Sequence, residues 1–315
     1  MIEDPNLVAG TPSTDFGSQP NLPPDSSTYV NRPSEFRRFT KFILVNRGFG
    51  VGLAIVVASV VLMIVGFAIA PTDPLAEDFS AILAPPSWDH WFGTDQNGRD
   101  VFSRVIAAPR VDIYIALMST AAALVIGVPL GVMAIGTSRL GSAFSEFMLR
   151  LLDVIQAFPV FILALALVAA FGPSALNVII ALTVLQFPVF LRLTRSSALV
   201  NRNRSFVEAA RISGAGSFTV LRRHILPNSM APAFVGASVA VAQAVLVTAG
   251  LSFVGAGIRP PTPEWGAMIS EGAQNLITGQ WWTSVFPGLA LAIVALGYAL
   301  VGDGLKQYLD PARRR

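Results

Sequence analysis

Five long stretches of this chain contain no Asp, Glu, Lys or Arg. Each is longer than the about 20 residues that a helix needs to cross the hydrocarbon core of a bilayer. Hydrocarbon offers the backbone no hydrogen-bond partner, so each stretch is predicted to be helical. The stretches lie between Arg47 and Asp73, Asp112 and Arg139, Asp153 and Arg192, Arg223 and Arg259, and Glu271 and Asp303.

The overall composition supports a membrane protein over the alternative, a soluble domain with a very apolar core. Charged residues make up 13% of the 315 residues and apolar residues 53%, whereas about 25% charge is usual in soluble domains. The chain has no cysteine, which excludes disulfides, thiolate metal sites and cysteine nucleophiles.

Six spans are predicted, which makes the chain an all-α polytopic membrane protein. The stretch after Asp153 is too long for one crossing at about 1.5 Å per residue, and the turn signal Phe171-Gly172-Pro173-Ser174 divides it. A polar tail over residues 1–36 is predicted to be disordered, and residues 37–315 to form the transmembrane domain. Within that domain we expect spans at 49–70, 113–135, 154–170, 175–191, 233–254 and 284–301, an outer loop at 71–110 and a cytoplasmic loop at 192–228.

Lysine and arginine are distributed unevenly between the two sides of these spans. One side, which holds both termini, has a roughly four-fold excess of them, and basic residues favour the cytoplasmic side. The sequence therefore predicts that both termini are cytoplasmic, and the basic character reflects topology, not nucleic-acid binding.

The sequence shows neither a phosphate-binding loop nor a clear nucleophile–base constellation. A phosphate-binding loop requires Gly-Lys-Ser or Gly-Lys-Thr, and the two lysines, Lys41 and Lys306, have other neighbours. His90 and His224 are predicted on opposite sides of the membrane, so no metal site is expected, and we find no catalytic constellation. The predicted span centres carry no ionisable residue of the kind that ion-coupled transporters use. We therefore expect a transport pathway that is driven by another subunit.

The basic loop before the fifth span has the pattern of two short helices. Ser205 is the predicted N-cap of the first, with Glu208 in the position of a capping box. Gly214 is predicted to turn the chain, Ser217 to cap a second helix, and Pro227 to end it. Apolar side chains and a small alanine face make the first helix suited to docking in a groove of another protein.

This loop resembles the EAA signature of ABC-importer permease subunits, through Glu208-Ala209-Ala210, then Gly214, then Leu226-Pro227. The resemblance implies a type I importer fold, that of binding-protein-dependent transport inner-membrane components, in which this loop docks on ATPase subunits. The predicted ATPase-coupling residues are Phe206, Val207, Glu208, Ala209, Ala210, Gly214, Ile225, Leu226 and Pro227.

Residues 90–104, 251–255, 261–266 and 302–311 are similar to the second, C-type permease of the dipeptide/oligopeptide/nickel branch. In the first segment, Val101 and Val105 lie on one apolar helical face, and Asp100 and Arg104 are spaced for an i,i+4 pair. Packing against the spans is the favoured role, and direct ligand contact is the alternative. The resemblance implies an outer-surface motif that faces a solute-binding protein, made of Gly93, Thr94, Asp95, Gly98, Arg99, Asp100, Ser103 and Arg104.

The resemblance also implies the partners and the location. They are a second homologous permease, two ATP-binding subunits that hold ATP and Mg²⁺, and an extracytoplasmic solute-binding protein, in a bacterial cytoplasmic membrane. No cofactor is expected in this chain, and a dipeptide or oligopeptide is the expected solute. Alternatives are a permease of the same family for nickel or another small solute, a self-contained channel or secondary transporter, and a membrane scaffold. The outer-loop tryptophans are predicted to be interfacial anchors.

Overall fold

The computed structural model describes Thr40, residues 42–135 and residues 139–309. The chain divides into Met1–Lys41 and Phe42–Arg315, and every helix named below belongs to the second unit. The predicted polar tail, residues 1–36, lies outside the described residues.

The described part of the chain is helical, with one isolated bridge between Thr94 and Asp100 in place of any strand. A π-helical turn, Leu221–Ile225, and a 3₁₀ turn, Gln274–Leu276, interrupt the α-helices. In chain order the α-helices are α1 (Arg47–Ile69), α2 (Val101–Ala107), α3 (Pro109–Met133), α4 (Arg139–Ala157), α5 (Val160–Phe171), α6 (Ala175–Arg202), α7 (Ser205–Ile212), α8 (Ser217–Val220), α9 (Leu226–Ser229), α10 (Ala231–Phe253), α11 (Trp265–Ala273) and α12 (Trp282–Leu309).

Five helical segments are long and apolar enough to cross a membrane: α1, α2 with α3, α6, α10 and α12. The pair α4 and α5 is a sixth if it is counted as one broken span. The fold is therefore the predicted polytopic helical bundle of five or six spans. Below, "basic end" means the end of the bundle that carries residues 203–230, and "motif end" the end that carries residues 90–104.

The predicted third span, 154–170, is not one continuous helix. α4 and α5 meet at an angle of 92° around Phe158 and Pro159. Proline lacks a backbone N–H and forces the residue before it out of the helical region, so the helix stops there. The apolar stretch was continuous across this break, so charge alone could not locate it.

α6 and α12 extend beyond the predicted ends of the fourth and sixth spans, residues 191 and 301. α6 continues to Arg202 and α12 to Leu309. The first charged residue marks where a helix leaves hydrocarbon, whereas the backbone hydrogen bonds of the helix continue into water. The predicted cytoplasmic loop therefore begins as about three turns of helix.

Two glycines on α3 allow it to pack closely along α6. A Cβ atom added to Gly127 would lie 2.7 Å from the carbonyl oxygen of Phe187, and one on Gly131 would lie 2.6 Å from that of Leu191. Small residues at such spacing let two membrane helices approach until their backbones touch. Side-chain packing between α3, α6, α10 and α11 then completes the largest apolar cluster, which contains Ile113, Leu182, Val245, Leu251 and Trp265.

Replacing Gly131 by valine is expected to lower the stability of the bundle by about 1–3 kcal/mol, because the new side chain collides with α6. The measurement is the thermal unfolding midpoint of the purified complex in detergent. Gly288→Val on α12 is the matched control, since a Cβ there meets nothing within 4 Å. Equal effects of the two substitutions would contradict close packing at Gly131.

Candidate functional site

The loop at the basic end is fastened to the spans by a small apolar cluster. Val207 of α7 and Ile225 of the π turn are buried against Val132 of α3 and Ala198 of α6, together with Val220. Two hydrogen bonds from the Asn201 side chain of α6 reach the Asn228 carbonyl oxygen and the Ser229 hydroxyl, each at 3.0 Å. The loop is therefore held against α3 and α6.

Gly214 ends α7 in a backbone conformation that favours glycine. Its φ is +83°, and the Gly214 N–H donates to Arg211 O while the Ala215 N–H donates to Ala210 O, both at 3.0 Å. These two bonds form a Schellman motif, which places a residue of positive φ just past a helix end. A Cβ on Gly214 would meet nothing within 4 Å, so this turn faces open space.

The outward side of the loop carries unpartnered apolar surface. Phe206 is 37% exposed, Ile212 82% and Phe218 73%. We call these three residues, with the exposed Glu208 and Ala209 between them, the coupling patch. Exposed apolar side chains on two neighbouring short helices, here α7 and α8, are typical of a surface that another protein covers.

The predicted coupling residues thus fall into two groups. Phe206, Glu208, Ala209, Gly214 and Pro227 are exposed. Of the rest, Val207 and Ile225 are fully buried, and Ala210 and Leu226 are partly buried against the same cluster. The buried members hold the loop to the spans and cannot themselves reach another subunit.

The predicted helix caps in this loop are wrong. The N-cap of α7 is Arg204, without a side-chain hydrogen bond, and the N-cap of α8 is Gly216. Pro227 does not end the second helix, because it occupies the first turn of α9, where the missing N–H costs nothing. The side chains of Ser205 and Ser217 therefore lie within first turns and not in capping positions.

All eight residues of the predicted outer-surface motif are buried. Asp95 Oδ1 accepts from the backbone N–H groups of Asn97 and Arg99, which closes the turn before α2. Thr94 donates to the Ala81 carbonyl oxygen, and Gly98 lies so close to the Asp78 backbone that a Cβ would overlap it. The motif is therefore a packed support beneath the surface, and its side chains are not available to a ligand.

The predicted pair between Asp100 and Arg104 does not form. Asp100 is the N-cap of α2, with its Oδ2 accepting from Ser103 N at 2.8 Å and its Oδ1 3.0 Å from His90 Nδ1. Arg104 is 1% exposed and lies 3.6 Å from Asp95 Oδ2, with a second bond to Pro261 O at 3.2 Å. A capping role draws Asp100 back onto the helix end, away from the next turn.

Two of the predicted interfacial tryptophans are instead internal. The Trp265 indole N–H donates to Val105 O and that of Trp282 to Thr94 O, each at 3.1 Å. Both rings are buried, whereas Trp88, Trp91 and Trp281 are exposed, as expected of anchors. The two buried rings join the outer motif to the later helices of the bundle.

The sequence patterns did not predict a buried pair of carboxyl groups at the motif end. Glu264 caps α11, its two oxygens accepting from Gly266 N at 3.0 Å and Ala267 N at 2.6 Å. Asp112, in the first turn of α3, accepts from Trp265 N at 3.1 Å with Oδ2, and its Oδ1 is buried beside Glu264 without a hydrogen-bond partner among the described residues. Burial raises the pKa of the Glu264 carboxyl above its ordinary value of 4.5. Two carboxyl groups buried side by side cannot both be charged, so Asp112 and Glu264 are expected to share a proton.

The sequence contained a partial signal for this pair. An acidic residue just before the Trp265-Gly266 helix start is favoured by the helix dipole, but nothing local relates it to Asp112.

A cavity of about 1130 Å³ is lined by α6 and α10, by residues at the bend between α4 and α5, and by the end of α12. We call it the central cavity. Apolar side chains make up most of the wall, for example Leu182, Val189, Leu193, Val235 and Val247. Its polar residues are Gln156, Gln186, Gln243 and Lys306. Charge patterning had placed the spans but could not show which faces of them enclose space.

The helical fold of this chain is similar to folds of known structure. The fold resembles the permease chains of the MetNI methionine ABC transporter in inward-facing conformations. In one crystal form the TM-score is 0.53 at 19% identity, with 66% of this chain and 96% of that chain covered. In another the TM-score is 0.54 at 18% identity. At such identity the likeness shows the fold alone, that of a multi-pass helical membrane protein.

The chain belongs to the family described as binding-protein-dependent transport system inner membrane component, which matches residues 127–315. Among curated relatives, the probable D,D-dipeptide transport system permease protein DdpC of Escherichia coli K12 is 40% identical, covering 82% of this chain and 85% of that protein. The dipeptide transport system permease protein DppC of the same strain is 41% identical, covering 87% and 92%. The di/tripeptide permease DppC of Pseudomonas aeruginosa is 36% identical, covering 91% and 96%.

Proposed function

We propose that this chain is a permease subunit of an ATP-driven importer for dipeptides or oligopeptides. Relatives named as dipeptide or di/tripeptide permeases are 36–41% identical over more than four fifths of the chain. The coupling patch carries the proposal, because it is the exposed apolar surface that an ATPase subunit would cover. A second permease, two ATPase subunits and an outer solute-binding protein complete the importer.

Coupling follows from how the loop is attached. When ATP binding draws the ATPase subunits together, the coupling patch moves with them, and the buried Val207 and Ile225 carry that motion to α3 and α6. ATP shifts the permease only if the ATP-bound partners bind one permease conformation better than the other. The central cavity lies on α6, so a shift of this helix changes access to it.

Topology and location follow from the charge distribution. The basic end would face the cytoplasm and the motif end the exterior, with both termini inside a bacterial cytoplasmic membrane. The buried motif residues would then support the exposed Trp88, Trp91 and Gln96 as the surface that receives the solute-binding protein.

The test is co-purification of a tagged chain with ATPase subunits, followed by reconstitution of the complex in liposomes with its solute-binding protein. We expect uptake of a labelled dipeptide that depends on ATP. Uptake without ATPase subunits would instead indicate a self-contained channel or secondary transporter.

The isolated chain is expected to hydrolyse no ATP, because it lacks a phosphate-binding loop. The measurement is phosphate release by the purified subunit, compared with the assembled complex at equal concentration of this chain. Hydrolysis by the subunit alone at the rate of the complex would contradict the proposal that separate subunits hydrolyse the ATP.

A further inference from the structure

Two amide side chains in the wall of the central cavity, Gln186 and Gln243, keep hydrogen-bonding groups that no described residue satisfies. Gln243 lies halfway along α10, is exposed, and makes no hydrogen bond to any described residue. An amide at mid-span that faces lipid is strongly unfavourable, because hydrocarbon cannot replace its hydrogen bonds with water. The face of α10 that carries Gln243 is therefore expected to meet water, a polar solute or a polar group of another subunit.

Gln186 is oriented into the same cavity by a contact on its other side. It is 8% exposed, and its Oε1 accepts from the Thr120 hydroxyl of α3 at 3.0 Å. Within residues 42–135 and 139–309, its Nε2 group donates to no protein acceptor. The Thr120 bond therefore leaves a fixed, buried amide N–H group available to whatever occupies the cavity.

The cavity wall is almost neutral. The one formally charged residue among the described lining residues is Lys306, near the basic end of α12, and it pairs with Asp303 at 3.4 Å. A wall without formal charge does not distinguish, by attraction or repulsion, between solutes whose side chains carry different charges. Amide groups both donate and accept, which matches the N–H and C=O groups that every peptide bond presents.

We propose that the central cavity is this subunit's wall of the translocation path, and that Gln186 and Gln243 exchange hydrogen bonds with the peptide groups of the solute in transit. This inference rests on the proposed function, peptide import. The path would then accept peptides whose side chains differ in charge, because its amide groups recognise the peptide bond.

The first experiment uses the absence of cysteine from the chain. The single substitution Gln243→Cys is introduced in the assembled complex in liposomes and treated with a membrane-impermeant maleimide, and labelling is read by the mass of this chain. Val57→Cys, at a similar depth on α1 and half exposed, is the control. We expect the thiol at position 243 to react and the thiol at position 57 to stay unreacted. Alanylalanine during turnover is expected to slow the reaction at position 243.

The second experiment measures uptake. Gln243→Met keeps the length of the side chain and removes its hydrogen bonds, and we expect kcat/KM for alanylalanine uptake to fall about ten-fold, as for one or two lost hydrogen bonds. Val57→Met is expected to match the wild type. Combining Gln243→Met with Gln186→Met is expected to lower kcat/KM further.

The outcomes separate the inference from the proposed function. Failure of the wild-type complex to take up alanylalanine or any longer peptide would overturn peptide import itself. Peptide import stands but the path assignment is wrong if the wild type imports peptide and any of three results is found. These are an unreactive thiol in Gln243→Cys, a labelling rate there that peptide does not slow, and normal transport by Gln243→Met.

Discussion

Replacing Gly214 by aspartate is expected to abolish coupling, with peptide uptake reduced at least about ten-fold while the complex still assembles. The new carboxylate would point outward from the turn beside the coupling patch, where a Cβ meets no described residue within 4 Å. Covering an unpaired charge with a partner subunit costs about 2–5 kcal/mol. Uptake and substrate-stimulated ATPase activity of the reconstituted complex are the measurements.

Two controls separate the charge from the backbone. Gly214→Asn has nearly the same shape without charge, and asparagine tolerates positive φ, so it is expected to keep most activity. Gly255→Asp adds the same charge at the motif end, in a Schellman turn of the same kind, where φ is +84° and a Cβ also meets nothing within 4 Å. Wild-type uptake by Gly214→Asp, or an equal loss in Gly255→Asp, would contradict the coupling assignment.

The buried carboxyl pair predicts opposite outcomes for two isosteric changes. Asp112→Asn is expected to be tolerated, because an asparagine amide can donate to Glu264 while its oxygen accepts from Trp265 N. Glu264→Gln is expected to cost about 2–4 kcal/mol. Both Glu264 oxygens accept backbone N–H groups, and an NH₂ in place of one of them cannot accept, so half of the cap is lost and one buried backbone N–H is left unsatisfied.

The same pair should make stability depend on pH in a defined direction. The folded-state pKa of Glu264 is raised, so the folded protein binds more protons than the unfolded chain above the ordinary pKa of 4.5. The contribution of the pair is fully present below that value and is lost as pH rises through the raised pKa. Asp112→Asn needs no shared proton and is expected to flatten this dependence.

The measurement is the thermal unfolding midpoint of each variant in detergent across that pH range, taken as a difference from the wild type so that other groups cancel. The shared-proton account fails if Asp112→Asn and Glu264→Gln destabilise equally, or if the wild type and Asp112→Asn show parallel curves.

Local chemistry made several features of this protein predictable. Hydrocarbon tolerates neither charge nor unpaired backbone groups, so stretches without charge identified the spans, even though Pro159 bends one of them. The turn at Gly214 was predictable because a glycine just past a short helix is a signal contained in a few neighbouring residues. The chain's family was likewise visible in short motifs.

The burial of the outer motif could not be predicted in this way. Asp100 and Arg104 had the spacing of an ion pair, yet each found a better partner, the α2 helix end for one and Asp95 with Pro261 for the other. Spacing along a helix shows which residues can meet. It does not show whether that local contact is more stable than a contact with a segment distant in the sequence.

By itself, then, the sequence determined a multi-pass helical membrane protein with a basic loop built to meet a partner, because solvent exclusion and turn chemistry act on neighbouring residues. Only the tertiary structure decided which loop residues stay exposed, that the outer motif is buried, and that Gln186 and Gln243 line one cavity. The contact between Asp112 and Trp265 joins residues 153 positions apart. Such contacts depend on how whole helices pack, and packing is a property of all the side chains together.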